Sequence, residues 1–342
     1  MTITRIELER FTAFEKLDFH PSPGVNILIG ANGTGKTHLM KIAYAACDIT
    51  KTKQSYGEKI VSSFLPSDGR LGRLVKRVGQ SSVANVRISR GDSLRLGIAF
   101  SNHIQDPLHP KVKVTGAANW VKEEVESVFI PVKEMLANAP GFRSLYARRE
   151  IHFESVYADI IDRAYLPLVR GVKDSSQQRL LERLCKSMDG KIVVKGEEFF
   201  LSNKQGELEF TLLAEGLRKL GLLWLLIQNG TLTSGSILFW DEPETNLNPQ
   251  LFAGIVDILL DLHRLGVQIF LTTHDYAVIK EFELAAKPGD KIKYHALYRP
   301  EGGDGAAIQS HEEAFMLSES PIARAMTSLY DREIARSLQG AI

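Results

Sequence analysis

The residues of this chain best suited to chemistry are a lysine and a threonine set behind glycines. In ILIGANGTGKTHL, residues 27–39, Gly30, Gly35, Lys36 and Thr37 complete the pattern G-x-x-x-x-G-K-[ST]. Glycine lets the backbone wrap so that its N–H groups face phosphate oxygens. The helix that follows brings its positive N-terminal end to the same phosphates. Lys36 can reach the outer phosphates and the Thr37 hydroxyl can hold Mg²⁺. Asn32, Gly33 and Thr34 complete the loop.

A second set lies in the other half of the chain. The apolar run Ser236–Trp240 ends in Asp241 and Glu242. Two acids at the end of a buried strand complement a phosphate loop: Asp241 orients Mg²⁺ and Glu242 polarises the attacking water. Phosphoryl transfer depends mostly on positioning and charge stabilisation, so these groups must converge. Val267–Leu271 is another apolar run and leads to His274. Ligands collect at the C-terminal edge of an open parallel sheet, where His274 could sense a γ-phosphate or the attacking water. Spacing alone leaves open a helix-capping or surface histidine.

The elements that must position these groups are readable in outline. Residues 3–9 alternate apolar and polar, as a half-buried strand does. A turn and second strand follow, then Pro21 and Pro23 break the chain before the apolar strand Val25–Ile29. Thr37 to about Asp48 reads as a helix, and Lys51–Lys59 as a polar stretch. Val83–Ser89, Ser93–Phe100 and Lys111–Thr115 read as an antiparallel meander. Ser127–Pro131 is a short buried strand. A helical segment follows, with amphipathic helices expected over Ser144–Val169 and Ser175–Met188. Short strands are expected at Lys191–Lys195, Glu198–Ser202 and Glu207–Phe210. An apolar helix over Leu212–Gln228 comes next. A helix opening at Pro249 leads to the strand Val267–Leu271, another helix and the strand Lys291–Tyr298. Gly302–Gly305 is a turn, and helical pieces near 311–317 and 321–338 close the chain. Short apolar strands alternating with helices predict a mainly parallel, buried sheet.

Composition narrows the class further. The 342 residues can bury a full core, and 44% hydrophobic with 24% charged residues is ordinary for a globular protein. A net charge of +1 gives no global argument for nucleic acid or membrane. Basic residues gather at Arg70, Arg73, Lys76, Arg77, Arg87, Arg90 and Arg95, either as a nucleic-acid face or as a solvated strand face. No aromatic side chains stand between them to stack on bases, which favours the solvated face. The two cysteines, Cys47 and Cys185, show no metal-type spacing and fit a reducing cytosol. With no apolar run of membrane length and no signal-peptide pattern at the start, a cytoplasmic protein is expected.

GANGTGKT, LLAEGLRKL, ILFWDEPETNLNP and FLTTHD, in this order, resemble the ABC-type ATPases of the SMC, RecF and OLD group. The opening TRIELERFTAFEKLDFHPSPGVNILIGANGTGKT is similar to that group's N-terminal lobe. The resemblance covers most of the chain. It implies an α/β P-loop NTPase fold, an ABC-type ATPase head with a β meander and a helical insertion. Residues 1–131 would form the N-terminal lobe, 132–205 the insertion and 206–342 the C-terminal lobe. It implies ATP and Mg²⁺ as cofactors, Lys36 and Thr37 as phosphate-loop residues, Asp241 and Glu242 as the Walker B pair, and His274 as the switch histidine. Asn246–Asn248 occupy the D-loop place that touches a partner subunit.

The chain also departs from the group's pattern. The usual LSGGQ signature is replaced by Leu213–Leu217. Gly216 still permits close approach to a γ-phosphate of a second protomer, but Glu215 brings a negative charge unless it faces away. Glu134 is a weak stand-in for a Q-loop glutamine, with a helix-start acid as the alternative. Phe11, Thr12 and Phe14 are neighbours of adenine by resemblance, or for the phenylalanines core packing. Long SMC hairpins are absent, and the stretch after His274 is too short for the Toprim nuclease of OLD enzymes. The expectation is an ATPase that dimerises around ATP and controls a separately encoded effector, commonly a nuclease, in anti-phage defence. A RecF-like DNA-binding repair ATPase and a transporter ATPase subunit are the alternatives.

Overall fold

ITRIELERF buries Ile3, Ile6, Leu8 and Phe11, and the computed structural model, which describes residues 1–77, 79–169 and 175–339, carries it as strand β1 (Ile3–Phe11), whose inward alternation is interrupted by a register shift between Ile3 and Arg5. β2 (Phe14–Phe19) folds back antiparallel, with Leu8 opposite Leu17. After Pro21 and Pro23, the apolar β3 (Val25–Gly30) is buried along its length. α1 (Lys36–Thr52) outlasts the helix expected from sequence. α2 (Tyr56–Phe64) occupies part of the stretch read only as polar. Ser55 and Glu58 start it with a capping box.

β4 (Val83–Arg90), β5 (Leu94–Ser101) and β6 (Lys113–Thr115) form the expected meander. Because β4 also pairs with β1, the strands make one antiparallel sheet in the order β2-β1-β4-β5-β6. A short α3 (Ala117–Trp120) leads to the buried β7 (Ser127–Ile130).

Helices then come in pieces, α4 (Phe142–Ala147), α5 (Ser155–Ala164) and α6 (Ser175–Met188). The continuous helix expected over Ser144–Val169 does not form. Arg149 takes φ 60°, and the Glu150 amide donates back to the Leu145 carbonyl, a left-handed stop that ends α4. Phe153, after the break, packs edge-on against Phe142 before it.

β8 (Lys191–Lys195), β9 (Glu198–Asn203) and β10 (Gly206–Glu209) form a separate antiparallel sheet. α7 (Glu215–Gln228), β11 (Ile237–Trp240), α8 (Phe252–Arg264), β12 (Gln268–Thr273), α9 (Tyr276–Ala285) and β13 (Ile292–Tyr298) follow the expected alternation. β14 (Ala307–His311) and the final α10 (Pro321–Gln339) end the chain. β14 was not legible as a strand because its half-exposed residues are defined by antiparallel pairing with β13, Tyr298 opposite Ala307.

The central sheet runs β14-β13-β3-β12-β11-β7 and is parallel except for β14. Its faces feed different cores. Val25, Ile27 and Ile29 point toward α5–α9, while Leu28 joins the core under α1 and the antiparallel sheet. Residues of α4, α5 and α6 share the first of these cores with β3 and β11. Behind the phosphate loop, Lys59 of α2 sits 2.7 Å from both Asp48 of α1 and Asp159 of α5, and Arg163 lies 2.6 Å from Asp48. Such a network costs desolvation, but it fixes three helices relative to one another, because losing one member strands a buried charge.

His295 on β13 is buried between Asn26 of β3, 3.1 Å from Nε2, and Ser310 of β14, 2.8 Å from Nδ1. Asn26 Oδ1 can only accept, so Nε2 carries the proton and Nδ1 accepts from the Ser310 hydroxyl. Burial, helped by the Lys293 charge, lowers its pKa from 6.5 to about 3. The unfolded chain therefore takes up this proton first. The contribution to stability is full above pH 6.5 and declines as pH falls toward about 3. Between pH 7 and pH 5 the wild type should lose roughly 2 kcal/mol more than His295→Gln. Urea melts of both proteins at the two pH values measure it, and equal losses would refute the assignment.

Candidate functional site: a phosphate loop facing two strand ends

The loop after β3 is shaped by what its glycines exclude. Gly33 and Gly35 take φ 76° and 94°, a left-handed region costly for other residues. A Cβ on Gly35 would lie 2.6 Å from Phe14 Cζ, and one on Gly30 would lie 2.4 Å from the Leu297 carbonyl oxygen. The loop is thus pressed between the β1–β2 hairpin and β13. The Thr34 hydroxyl donates to Ala31 O at 2.9 Å. No side chain caps the start of α1, so its first amides remain for a ligand. Lys36 Nζ folds over the loop and donates to Gly30 O at 2.7 Å and Ala31 O at 3.1 Å. Burial pushes its pKa down to about 8, against the pull of Glu242, Asp241 and Glu244.

Asp241 stands at the end of β11. The Thr37 hydroxyl lies 3.0 and 3.1 Å from its two oxygens, and the Thr272 hydroxyl donates to Oδ1 at 2.6 Å. Burial raises the Asp241 pKa, while the hydroxyls of Thr272 and Thr37 oppose the rise. Glu242 takes φ 48°, and its amide donates to Thr272 Oγ1 at 2.9 Å. That backbone turn directs its carboxylate to His274 Nε2 at 3.1 Å, and the Thr245 hydroxyl donates to its other oxygen at 3.1 Å. Burial, then the Lys36 charge, lowers the His274 pKa, with Glu242 opposing. Thr37, Asp241, Glu242 and His274, named from sequence, thus come together.

Reading the sequence missed several neighbours. Thr272 ties Asp241 to the Glu242 amide. Glu244 Oε1 accepts from the Thr273 hydroxyl at 2.7 Å and from the His274 amide at 2.8 Å, and burial raises its pKa. Arg299, exposed at the end of β13, donates to Gly33 O at 3.0 Å. The threonines at the end of β12 and the third acid of Asp241-Glu242-Pro243-Glu244 were available signals; Arg299 had none, since its place follows from sheet order.

Other expected residues have partners within the chain. Gly216 is buried, and a Cβ there would meet Leu247 Cδ1 at 2.7 Å, so close packing already accounts for glycine. Glu215 accepts from Asn246 Nδ2 at 3.1 Å. Asn248 is exposed and accepts from the Gln250 amide at 3.0 Å, capping the turn before α8. Glu134 is buried, accepts from the Leu136 amide and lies 3.2 Å from Arg218 Nε, as the helix-start alternative anticipates. Phe11 and Phe14 are core residues. Of the basic set, Arg90 is withdrawn from the surface: its guanidinium stacks 4.2 Å over Trp120 and donates to Glu123 O at 2.7 Å. Lys76 and Arg70 are paired with Glu15 and Asp68.

A family model described as "AAA domain, putative AbiEii toxin, Type IV TA system" matches residues 25–280, from the start of β3 into α9. The chain belongs to this family. The chain is similar to an SmcHead structure bound to the C-winged helix domain of ScpA, with TM-score 0.57 and 12% identity over 92% of this chain and 99% of that one. A Pyrococcus furiosus Smc head with an extended coiled coil gives TM-score 0.54 at 12% identity, over 97% and 99% of the two chains. These likenesses show the fold, that of an Smc head. Among curated proteins, a DNA replication and repair protein RecF of Salmonella newport is 28% identical over 93 residues, 27% of this chain and 26% of RecF. An energy-coupling factor transporter ATP-binding protein EcfA of Methanothermobacter thermautotrophicus is 41% identical over 46 residues, 14% and 15% of the two chains. Both matches span well under two thirds of those relatives. Among the described residues of this AAA domain, no helix is long and apolar enough to cross a membrane.

Gly35→Ala should destabilise the fold by about 1–3 kcal/mol, from the Phe14 overlap and the left-handed backbone. Nucleotide affinity should fall about tenfold with it, because the loop amides that face phosphate are displaced. Thermal melts and fluorescent-nucleotide titration read both; unchanged affinity would show that the loop tolerates the overlap.

Proposed function

We propose that the chain binds ATP with Mg²⁺, hydrolyses it, and closes head to tail with a second copy around the nucleotide. The convergence of Thr37, Asp241, Glu242 and His274 in front of the phosphate loop carries this reading. Amides of Asn32, Gly33, Thr34 and Gly35 cradle phosphates, and Lys36 exchanges its loop carbonyls for phosphate oxygens. Thr37 and Asp241 offer the hard oxygen donors that suit Mg²⁺, and the ion supplies neutralising charge on the phosphates. Glu242 takes the proton of the attacking water, and His274 orients Glu242.

In the closed pair, the start of α7 at Gly216 approaches the other copy's γ-phosphate, and exposed Asn248 touches its loop. The Asn246 amide that donates to Glu215 supports this, because it partners the acid's charge. ATP holds the pair closed and hydrolysis releases it. The segment 132–205, between lobes 1–131 and 206–342, reports that state to a separately encoded effector such as a nuclease, in cytoplasmic anti-phage defence. The family description, which names a Type IV TA system, supports action together with a second component. A head of this fold carrying a bound ScpA domain supports partner docking.

A RecF-like DNA-binding role is the second reading, favoured by the RecF match. It requires DNA to stimulate hydrolysis with steep salt dependence. The burial of Arg90 removes one cation from its surface.

Glu242→Gln should cut ATP turnover by about 100-fold or more while leaving ATP bound. With ATP and Mg²⁺ the variant should double its mass in light scattering. Turnover equal to wild type would remove Glu242 from the mechanism, and an unchanged mass would remove the nucleotide-driven pairing.

A further inference from the structure

The turn after β11 and the end of β12 come from separate parts of the chain, yet the Glu242–His274 contact of 3.1 Å requires them to be fixed to one another. Main-chain pairing between the strands stops at Trp240 and Leu271, before either residue. Thr272 and Thr273 remain paired with β3, so beyond that point it is side chains that tie the turn after β11 to the end of β12. Thr272 secures the acid side, through Asp241 and the Glu242 amide. On the histidine side the bridging group is Glu244. A single carboxylate oxygen accepts from both the Thr273 hydroxyl and the His274 amide, at 2.7 and 2.8 Å. Thr273 Oγ1 in turn accepts from the Asp275 amide at 3.0 Å, and Asp275 caps α9. Glu244 thus grips the backbone on which the imidazole is mounted, from the same turn that carries Glu242.

We propose that Glu244 is a positioning residue for His274, holding its backbone so that the imidazole stays in register with Glu242. The inference rests on the ATPase reading above. It requires the carboxylate to act by reach and acceptor geometry. Aspartate keeps the charge but is one methylene too short to span from the turn to the strand end. Glutamine keeps both the length and an accepting oxygen. Removal of the imidazole should make the grip irrelevant, since a residue acting through another loses its effect when that other is gone.

The test compares kcat for ATP, and the Kd of a fluorescent ATP analogue, in wild type, Glu244→Asp, Glu244→Gln, His274→Ala and the double variant Glu244→Asp/His274→Ala. Glu244→Asp should lower kcat about tenfold at unchanged Kd. Glu244→Gln should stay within about threefold of wild type. In the His274→Ala background, Glu244→Asp should cost nothing further. Full activity in Glu244→Asp overturns the proposal, as does a loss in Glu244→Gln equal to that in Glu244→Asp. Persistence of the full Asp effect without His274 also overturns it. Wild-type protein that binds ATP without hydrolysing it overturns the ATPase reading, whereas hydrolysis indifferent to Glu244→Asp overturns this proposal alone.

Discussion

Parallel pairing of β3, β12 and β11 is the constraint on which the rest of the structure depends. In register, Ile29 lies opposite Thr273 and Leu271 opposite Trp240, so three chain segments end at one edge. Each continues into a different piece of the site: the phosphate loop, the histidine and the acid pair. A one-residue slip would turn every side chain of a strand to the opposite face. The two cores prevent it, because successive residues of β3 and β11 are committed to different layers. Apolar packing far from the site thereby sets the 3.0 Å approach of Thr37 to Asp241.

Around that edge the backbone occupies costly conformations that its neighbours stabilise. Gly35 and Gly33 turn left-handed where a side chain would strike Phe14 or strain the loop. Glu242 and Asn246, which are not glycine, take φ 48° and 58° on either side of the turn after β11. The buried Lys219 ammonium donates to the Pro243 and Thr245 carbonyls and locks that turn against α7. Strain at these positions persists only because the surroundings over-determine them. The ion network of Asp48, Lys59, Asp159 and Arg163 does the same for α1 from behind.

The helical segment has a direct link to this edge. Lys41, on α1 beyond Thr37, pairs with Glu154 at the start of α5. Arg218 of α7 meets Glu134 just after β7. The Lys41–Glu154 pair thus ties α5 to the helix that follows the phosphate loop, and the Arg218–Glu134 pair ties the segment after β7 to α7.

The sequence by itself determined the phosphate loop, the acid pair, the histidine and the strands that carry them. Each depends on local patterns: glycine spacing, an apolar run, and an acid or histidine at its end. The central parallel sheet was legible for the same reason, since strands buried on both faces are apolar throughout. Tertiary structure alone decided the rest. β14 is a strand through its pairing with β13, and α4 stops where Arg149 turns left-handed and aromatic rings pack across the break. Arg299, Thr272 and Glu244 gain their places from which strands lie side by side. That Leu247 packs against Gly216 within the chain was likewise not legible from the signature-like segment. Local chemistry is written along the chain, whereas adjacency is set by which apolar faces close on one another.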